Sequence, residues 1–329
     1  MRAPAFWGED GPIPRLLSPL SHIVAEVTSL RVARPGWRAP VRVVCCGNVT
    51  VGGAGKTTVV LDLAQRFQAL GARVHILLRG YGGRVRGPHR VGPGDTAAEV
   101  GDEAILLARI APTWVGSDRA ASARAAVAAG ARLLLMDDGL QNPSLVKDLS
   151  LLIVDGATGF GNGRVLPAGP LREPVAAGAA RCSAAVLIGP DLTGAARQIP
   201  SLPILQARLV QDQAVEAVRG RRILPFAGIA HPGKFFAPLE VAGAVLAGTQ
   251  SFPDHHAYSA ADLDRLATRA KALGAALVTT PKDAVRLPAS FLAKVQVIGV
   301  GLGWDDPAAL DRLLARVHPG GDAIVERDS

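Results

Sequence analysis

The sequence has few cysteines and no long apolar run. Its three cysteines, Cys45, Cys46 and Cys182, cannot build a disulfide framework and match no zinc-binding spacing, so the chain fits a reducing compartment. The longest stretches without a charged residue, Val43–Gly55 and Val241–Pro253, are thirteen residues each. Because a membrane-spanning helix needs roughly 20 apolar residues, we expect no spanning helix.

Charged residues are also scarce, at 19% of the 329 positions, whereas hydrophobic residues make up 49%. This composition excludes a disordered or fibrous chain, because there is enough apolar material for large cores. The net charge is nevertheless +8, which favours an anionic partner such as nucleic acid, a phosphorylated substrate or an acidic membrane surface. No helix-turn-helix, zinc or interleaved aromatic and basic pattern accompanies the charge, so we expect no nucleic-acid partner.

An amphipathic stripe distinguishes residues 1–39 from the rest of the chain. Seven apolar residues recur there at helical spacing and define one face: Leu16, Leu17, Leu20, Ile23, Val24, Val27 and Leu30. One interpretation is a helix that lies in a membrane interface, with the flanking arginines near anionic headgroups. The other is a helix packed on the domain behind it, and the pattern favours both equally.

Residues 40–205 alternate between short apolar strands and helices, which predicts an α/β fold with a mostly parallel sheet and helices on both of its faces. The predicted strands include Val41–Cys46, Val74–Leu78, Leu133–Met136, Leu149–Val154 and Ala184–Ile188. Residues 206–329 are predicted to form a second, smaller α/β domain. Its elements include helices at Phe235–Ala247 and Ala260–Leu273 and a strand at Val295–Val300.

The strongest motif is a glycine-rich loop, GNVTVGGAGKT, over residues 47–57. It follows a predicted strand and opens a predicted helix, which is the context of a phosphate-binding loop in a P-loop NTPase-like domain. Glycines allow backbone N–H groups to turn toward phosphate oxygens, and the helix N-terminus adds positive potential. The lysine is predicted to reach the β- and γ-phosphates, and the threonine after it to ligate Mg²⁺. The predicted nucleotide-binding residues are consecutive: Thr50, Val51, Gly52, Gly53, Ala54, Gly55, Lys56, Thr57 and Thr58.

Two acidic pairs follow in the same domain. Asp137 and Asp138 come directly after the predicted strand Leu133–Met136, where an acid close to the phosphate loop holds the Mg²⁺ shell. The alternative is a solvated Asp-Gly turn, and which aspartate leads stays open. Asp102 and Glu103 open a predicted helix, where they either cap the helix or supply a general base.

Two adjacent histidines and a lysine stand out in the second domain. His255 and His256 follow Asp254, a placement that suits proton chemistry or phosphate contact. Metal binding is less expected, because no other ligand cluster accompanies them. Lys282 and Asp283 follow a predicted strand, where they form a local salt bridge or line a cleft that faces the first domain.

Together these motifs resemble one family, the tetraacyldisaccharide 4′-kinases of lipid A biosynthesis. The matching stretches occur in the family's order across nearly the whole chain: GNVTVGGAGKT (47–57), RGYGG (79–83), GDEA (101–104), DDGLQ (137–141), GNGRVLPAGPLREP (161–174), FAGIAHPGKFF (226–236), FPDHHAYS (252–259) and TTPKDAVRL (279–287). Two positions depart from the family pattern. Asn142 stands where members commonly have His, and Pro281 stands where they have Glu.

The resemblance implies ATP-dependent phosphorylation of the 4′-hydroxyl of a tetraacylated glucosamine disaccharide 1-phosphate, the lipid A disaccharide precursor. It places this reaction at the cytoplasmic face of the inner membrane of a Gram-negative bacterium, with an N-terminal helix on the anionic membrane surface. Asp102 is the implied base, paired with His255, and the lysine of the phosphate loop, Lys56, is expected to be catalytic as well. The resemblance also places Arg172 and Glu173 in the active-site lining. We expect five further residues to line the site with them: Arg79, Glu103, Asn162, His256 and Lys282.

The main alternative is a membrane-associated nucleotide switch of the deviant P-loop NTPase class. Such a protein shares the GGxGKT loop, the strand-end aspartate and an amphipathic anchor. It often carries Lys at the position of Val51, and it needs neither the DHH nor the LREP segment. Position 51 and the second domain therefore argue against the switch. The sequence indicates no oligomeric state.

Overall fold

The computed structural model describes residues 4–318. Its α-helices are α1 (Pro12–Val32), α2 (Lys56–Ala69), α3 (Ala97–Val100), α4 (Asp102–Ala108), α5 (Arg119–Ala128), α6 (Val175–Ala179), α7 (Gly233–Val241), α8 (Ala260–Leu273), α9 (Pro281–Ala284), α10 (Ala289–Leu292) and α11 (Pro307–Ala315). Its strands are β1 (Arg42–Gly47), β2 (Val74–Leu78), β3 (His89–Arg90), β4 (Thr113–Val115), β5 (Leu133–Asp137), β6 (Leu149–Asp155), β7 (Ala184–Ile188), β8 (Ile204–Gln211), β9 (Arg222–Ala227), β10 (Val245–Leu246), β11 (Gln250–Ser251), β12 (Ala276–Thr279), β13 (Val295–Val297) and β14 (Val300–Trp304).

Nine strands form a large sheet in the order β14-β8-β7-β6-β1-β5-β2-β4-β3. Seven of them run parallel, and the edge strands β14 and β3 pair antiparallel with β8 and β4. The central strands β5 and β6 are buried along their whole length, because helices cover both faces of a parallel sheet. The predicted α/β fold with a mostly parallel P-loop NTPase-like sheet is confirmed.

The core of the large sheet is mostly aliphatic. Aliphatic side chains of β1, β2 and β5 pack against the buried face of α2, which contributes Leu63 and Phe67. Cys45 and Cys46 of β1 are free and fully buried, and they act there as small apolar side chains.

A smaller parallel sheet has the order β10-β9-β12-β13, with β11 also paired to β9. Helices α7 and α8 pack on it, and α8 begins at Ser259 in a capping box with Asp262. Helix α7 is shorter than the predicted helix Phe235–Ala247. The chain turns after Val241 through Gly243, whose φ of +92° favours glycine, and it then enters β10.

The chain passes from the large sheet to the small sheet after β8 and returns to the large sheet at β14. The predicted domain boundary between residues 205 and 206 does not coincide with either crossing. That boundary falls inside β8, which pairs with β7 in the large sheet. The predicted strand Val295–Val300 is two strands: β13 belongs to the small sheet, whereas β14 pairs with β8. The two crossings are joined where the Asp212 carboxylate accepts from the N–H of Gly299 at 2.8 Å.

Helix α1 lies against the large sheet's loops by one face only. The Ser21 hydroxyl donates to the carbonyl of Val165 at 2.6 Å and accepts from the N–H of Ala168 at 3.2 Å. The opposite face exposes a row of apolar side chains: Ile13, Leu16, Leu20, Ile23, Val27 and Leu30. Among residues 4–318, no helix combines the length and the hydropathy that crossing a bilayer requires.

Candidate active site

The glycine-rich loop connects β1 to α2, as predicted from its sequence. Gly55 is the residue before α2, and its φ of +84° lies in the left-handed region. A Cβ atom at this position would also lie 2.6 Å from Cδ1 of Ile188, so the site requires glycine. The Lys56 ammonium donates to Oδ1 of Asn48 at 3.1 Å, and this bond holds the lysine over the loop.

A cavity of about 2160 Å³ opens above this loop, between the large and the small sheet. Residues Val51, Gly52, Gly53, Ala54, Gly55, Lys56, Thr57 and Thr58 all line it. Thr50 is outside the lining of the described chain, and its hydroxyl accepts from the Asn48 amide at 2.9 Å. In the described chain, eight of the nine predicted nucleotide-binding residues therefore face the cavity, and Thr50 does not.

The carboxyl end of β5 brings two aspartates to the loop. Oδ2 of Asp137 accepts from the Thr57 hydroxyl at 3.3 Å, while Oδ1 is buried without a hydrogen-bond partner among residues 4–318. Burial raises the pKa of Asp137, and the negative charge of Glu103 acts in the same direction. Within the described chain, Oδ1 of Asp137 is therefore a free acceptor atom, and its residue lines the cavity.

Asp138 occupies a different electrostatic environment. The Arg172 guanidinium donates to both of its carboxylate oxygens at 2.9 Å, and the Lys56 ammonium lies 3.8 Å away. Burial opposes ionisation of Asp138, but the charges of Lys56 and Arg172 outweigh it and lower the pKa of this carboxyl. Asp138 therefore orients two cations toward the phosphate loop.

The oxygens around Thr57 fit a magnesium ion that arrives with a nucleotide. The Thr57 hydroxyl, the unpartnered Asp137 oxygen and Glu103, 3.4 Å from that hydroxyl, are hard ligands of the kind Mg²⁺ prefers. Residues 4–318 contain no group of three His, Cys, Asp or Glu placed to hold a metal ion by themselves. Mg²⁺ commonly takes only one or two protein carboxylates and completes its shell with phosphates and water, so the donor set suits a nucleotide-bound ion.

Asp102 and His255 meet across the cavity from different sheets. Asp102 is the buried first residue of α4 on the large sheet, and His255 follows β11 of the small sheet with a φ of +57°. The imidazole Nδ1–H of His255 donates to Oδ2 of Asp102 at 2.9 Å. The hydrogen bond that His255 donates to Asp102 raises the pKa of the imidazole. Burial opposes ionisation of Asp102, but the hydrogen bond from His255 and the positive charge of Lys282 lower its pKa.

A second contact between the sheets lies beside this pair. The Lys282 ammonium, at the start of α9, donates to Oε1 of Glu103 at 3.1 Å. Burial opposes protonation of Lys282, but the charges of Glu103 and Asp102 outweigh it and raise the pKa of this lysine. Arg79 and Arg172 line the same cavity and add positive charge to it.

The structure places three of the predicted lining residues outside the cavity, contrary to the expectation. The Asn162 amide donates to the carbonyls of Phe6, Glu9 and Ala168, so it braces the chain before α1. The other two are held by partners of their own. Glu173 is buried in an ion pair with Arg181 at 2.7 Å, and His256 pairs at 3.1 Å with Asp262 in the cap of α8.

Several residues that sequence reasoning did not single out contribute to the site. Asn48 holds Lys56, and Arg119 of α5 lines the cavity although nothing in its alanine-rich helix indicates that position. Burial lowers the pKa of Arg119 to about 10. Lys234 and Asp155 also line the cavity and contact each other. Two of these residues stand in stretches that resemble the family, Asn48 in GNVTVGGAGKT and Lys234 in FAGIAHPGKFF.

Comparisons with known proteins agree on one family. The family model described as Tetraacyldisaccharide-1-P 4′-kinase matches residues 13–318. The Tetraacyldisaccharide 4′-kinase of Gluconacetobacter diazotrophicus is 58% identical over 95% of this chain and 97% of its own length. That of Rhodospirillum centenum is 53% identical over 98% of both chains.

The crystal structure of LpxK from Aquifex aeolicus in complex with ATP superposes with a TM-score of 0.74 at 25% identity, covering 93% of this chain and 99% of that one. Sequence, fold and the arrangement around the phosphate loop lead to the same assignment. The chain belongs to the tetraacyldisaccharide-1-P 4′-kinase family.

Proposed function

We propose that this chain transfers the γ-phosphoryl group of ATP to the 4′-hydroxyl of a tetraacylated glucosamine disaccharide 1-phosphate. The observation that carries the proposal is the hydrogen bond between Asp102 and His255, which sits in the same cleft as the phosphate loop. A loop that binds nucleotide needs no such pair, whereas a kinase needs a group that takes the proton of the acceptor hydroxyl. The names of the relatives and the ATP bound by the Aquifex aeolicus protein support this proposal.

Phosphoryl transfer depends on positioning and on neutralising charge rather than on covalent chemistry by the protein. The loop N–H groups and the N-terminus of α2 face the place where the β- and γ-phosphates bind. Lys56 and Arg172, both held by Asp138, supply positive charge to the γ-phosphoryl oxygens. Thr57 and Asp137 would hold Mg²⁺, which supplies further neutralisation of the phosphates when it is bound.

The Asp102 and His255 pair takes the proton of the 4′-hydroxyl. The lowered pKa of Asp102 keeps this carboxylate ionised, and its negative charge favours uptake of the proton at Nε2 of His255, since Nδ1 already carries the hydrogen that it donates to Asp102. His255 lines the cavity and stands between this buried carboxylate and the acceptor. Because the two groups share a hydrogen bond, they titrate as a unit rather than independently.

Helix α1 provides the surface on which a lipid acceptor reaches the cleft. Ile23 and Val27 of its exposed face also line the cavity, so an apolar path leads from the helix surface to the phosphate loop. Arg31 lines the cavity at the end of the same helix and suits an anionic headgroup. We therefore place the enzyme on the anionic surface of the inner membrane, at its cytoplasmic face, where ATP is available.

Transfer of radiolabelled γ-phosphate to a purified tetraacyl disaccharide 1-phosphate tests the proposal directly. We expect a labelled lipid product only when ATP, Mg²⁺ and the acceptor are all present. Lys56→Ala should reduce this transfer by about 10³-fold, since it removes a preorganised charge at the phosphates. Arg219→Gln, which breaks an exposed ion pair with Glu216 far from the loop, is the matched control and should transfer normally. Absence of labelled lipid with the folded wild-type protein would refute the proposal.

A further inference from the structure

A further contact joins the two sheets, on the other side of the phosphate loop from Asp102 and His255. The Lys234 ammonium, in the first turn of α7, lies 2.5 Å from Oδ2 of Asp155 at the carboxyl end of β6. The Asp155 side chain is only 9% exposed, and its other oxygen accepts from the N–H of Ala157. The Asp155 side chain is therefore held in one orientation, in which Oδ2 faces Lys234 of the small-sheet unit.

The order of strands shows how this contact relates to the phosphate loop. The loop follows β1, and in the large sheet β1 lies between β6 and β5. Asp155 ends β6, whereas α4, which carries Asp102 and Glu103, packs on β2 and β4 at the other side of β1. The small sheet is thus tied to the large one on both flanks of the nucleotide site.

The backbone at Lys234 is held in place by its neighbours, and the lysine side chain itself is 42% exposed. The next two residues, Phe235 and Phe236, are buried in the core of the small sheet and fix the first turn of α7. Just before this turn, Ala230 comes close to the loop: a Cβ on Gly53 would lie 4.0 Å from its methyl group. The segment that carries Lys234 therefore approaches the phosphate loop at Gly53, which is itself exposed.

We propose that Lys234 and Asp155 form an interdomain clasp that holds the small sheet over the phosphate loop, which makes Lys234 a positioning residue for phosphoryl transfer. The inference rests on the proposed kinase function. Closure brings His255 to Asp102 on one flank, and the clasp keeps the opposite flank from opening. Without the clasp, the competent closed form is a smaller share of the population, and turnover falls in proportion.

The test compares Lys234→Gln, Asp155→Asn and the double variant with the wild type in the lipid phosphorylation assay. We expect each single variant to lower kcat about fivefold through the smaller closed population, and the double variant to be no worse than either. Lys234→Arg should keep most of the activity because the ion pair persists. Binding of ADP should be unchanged, since the loop and α2 belong to the large sheet. Arg219→Gln again serves as the matched control, because it removes a cation from an exposed pair outside the cavity.

A distance measurement separates positioning from simple support of the fold. Spin labels at Leu192 and Val241, which are exposed on the large-sheet and small-sheet sides, report the separation of the two units once Cys182 is replaced by Ser. With a non-hydrolysable ATP analogue bound, the wild type should give one short distance and Lys234→Gln a longer or broader distribution.

Three results would overturn the clasp. The first is a lower melting temperature with unchanged kcat and an unchanged label distance. The second is loss of ADP binding in Lys234→Gln alone, which would make the lysine a nucleotide ligand. The third is additive loss in the double variant. If the wild type itself transfers no phosphate, the proposed function fails, and the label distances still decide whether the clasp exists.

Discussion

His255 Nδ1 lies 2.9 Å from Oδ2 of Asp102, although 153 positions separate the two residues and each is carried by a different sheet. The pair exists only while the small sheet rests on the large one. Assembly of the proposed proton acceptor is therefore tied to contact between the two sheets, and such closure would also exclude the water that otherwise hydrolyses ATP.

Asp102→Asn should lower kcat by about 10²- to 10⁴-fold, the usual contribution of a general base. Affinity for ATP should change little, because the phosphate loop and α2 do not depend on this carboxylate. Steady-state kinetics of lipid phosphorylation, together with equilibrium binding of an ATP analogue, provide both quantities. Loss of ATP binding with intact turnover would show that Asp102 only supports the fold.

The same pair predicts how stability depends on pH. Because Asp102 raises the pKa of His255 above its ordinary value of 6.5, the folded protein holds this proton more tightly than the unfolded chain does. The resulting stabilisation is fully present below the unfolded pKa and is lost as the pH rises through the raised pKa. The lowered pKa of Asp102 adds a loss at acid pH, below its ordinary value of 3.8.

Chemical denaturation of the wild type and of His255→Gln checks this dependence. The difference in their free energies of unfolding should be larger at about pH 6 than at about pH 9, by roughly 1 kcal/mol or less for a partly exposed pair. If the difference in the free energy of unfolding grows toward alkaline pH instead, the pKa of His255 is not raised by Asp102 in the folded protein.

The two aspartates after β5 should behave differently toward magnesium. Asp137 has an unpartnered oxygen beside Thr57, whereas both oxygens of Asp138 accept from Arg172. Asp137→Asn should raise the Mg²⁺ concentration needed for half-maximal activity by at least about tenfold, the loss seen even for supporting residues at metal sites. Asp138→Asn should instead lower kcat with a smaller change in Mg²⁺ requirement. Titration of activity with Mg²⁺ at saturating ATP distinguishes them, and equal shifts in both variants would contradict the division of roles.

The exposed face of α1 predicts membrane binding that depends on its apolar side chains. Leu16 is 81% exposed and Leu20 is 51% exposed, so neither holds the fold together. Leu16→Glu combined with Leu20→Glu should weaken partitioning onto anionic vesicles by more than about tenfold, since each buried leucine contributes about 1.5–3 kcal/mol. Val241→Glu, at an 89% exposed site at the end of α7, is the matched control. Unchanged vesicle sedimentation of the double variant would show that α1 does not engage the membrane.

Local sequence predicted the elements that create the nucleotide site. The strand Leu133–Met136 and the helix after Gly55 follow from apolar runs and glycine chemistry, which act over a few residues. The strand predicted at Val295–Val300 was wrong as a single element. Its break depends on the bond between Gly299 and Asp212, 87 positions apart, which no local pattern records.

The sequence indicates where a motif lies more readily than which of its side chains face the cavity. Glu173 and Arg172 are neighbours in one motif, yet Arg172 lines the cavity while Glu173 is buried against Arg181. Which of two adjacent side chains faces a cleft depends on backbone direction and on partners from distant segments. The contact between Lys234 and Asp155 has the same origin, since 79 positions separate the two residues.

The central claim is that the acceptor hydroxyl, rather than water, receives the γ-phosphoryl group. The most direct test is the rate of ATP consumption with the tetraacyl disaccharide 1-phosphate and with an analogue that lacks only the 4′-hydroxyl. We predict that consumption is fast with the intact acceptor, matches phospholipid formed one for one, and falls to the acceptor-free rate with the 4′-deoxy analogue. Sustained ATP hydrolysis with the 4′-deoxy analogue or without lipid would contradict the kinase account and favour a nucleotide-driven switch.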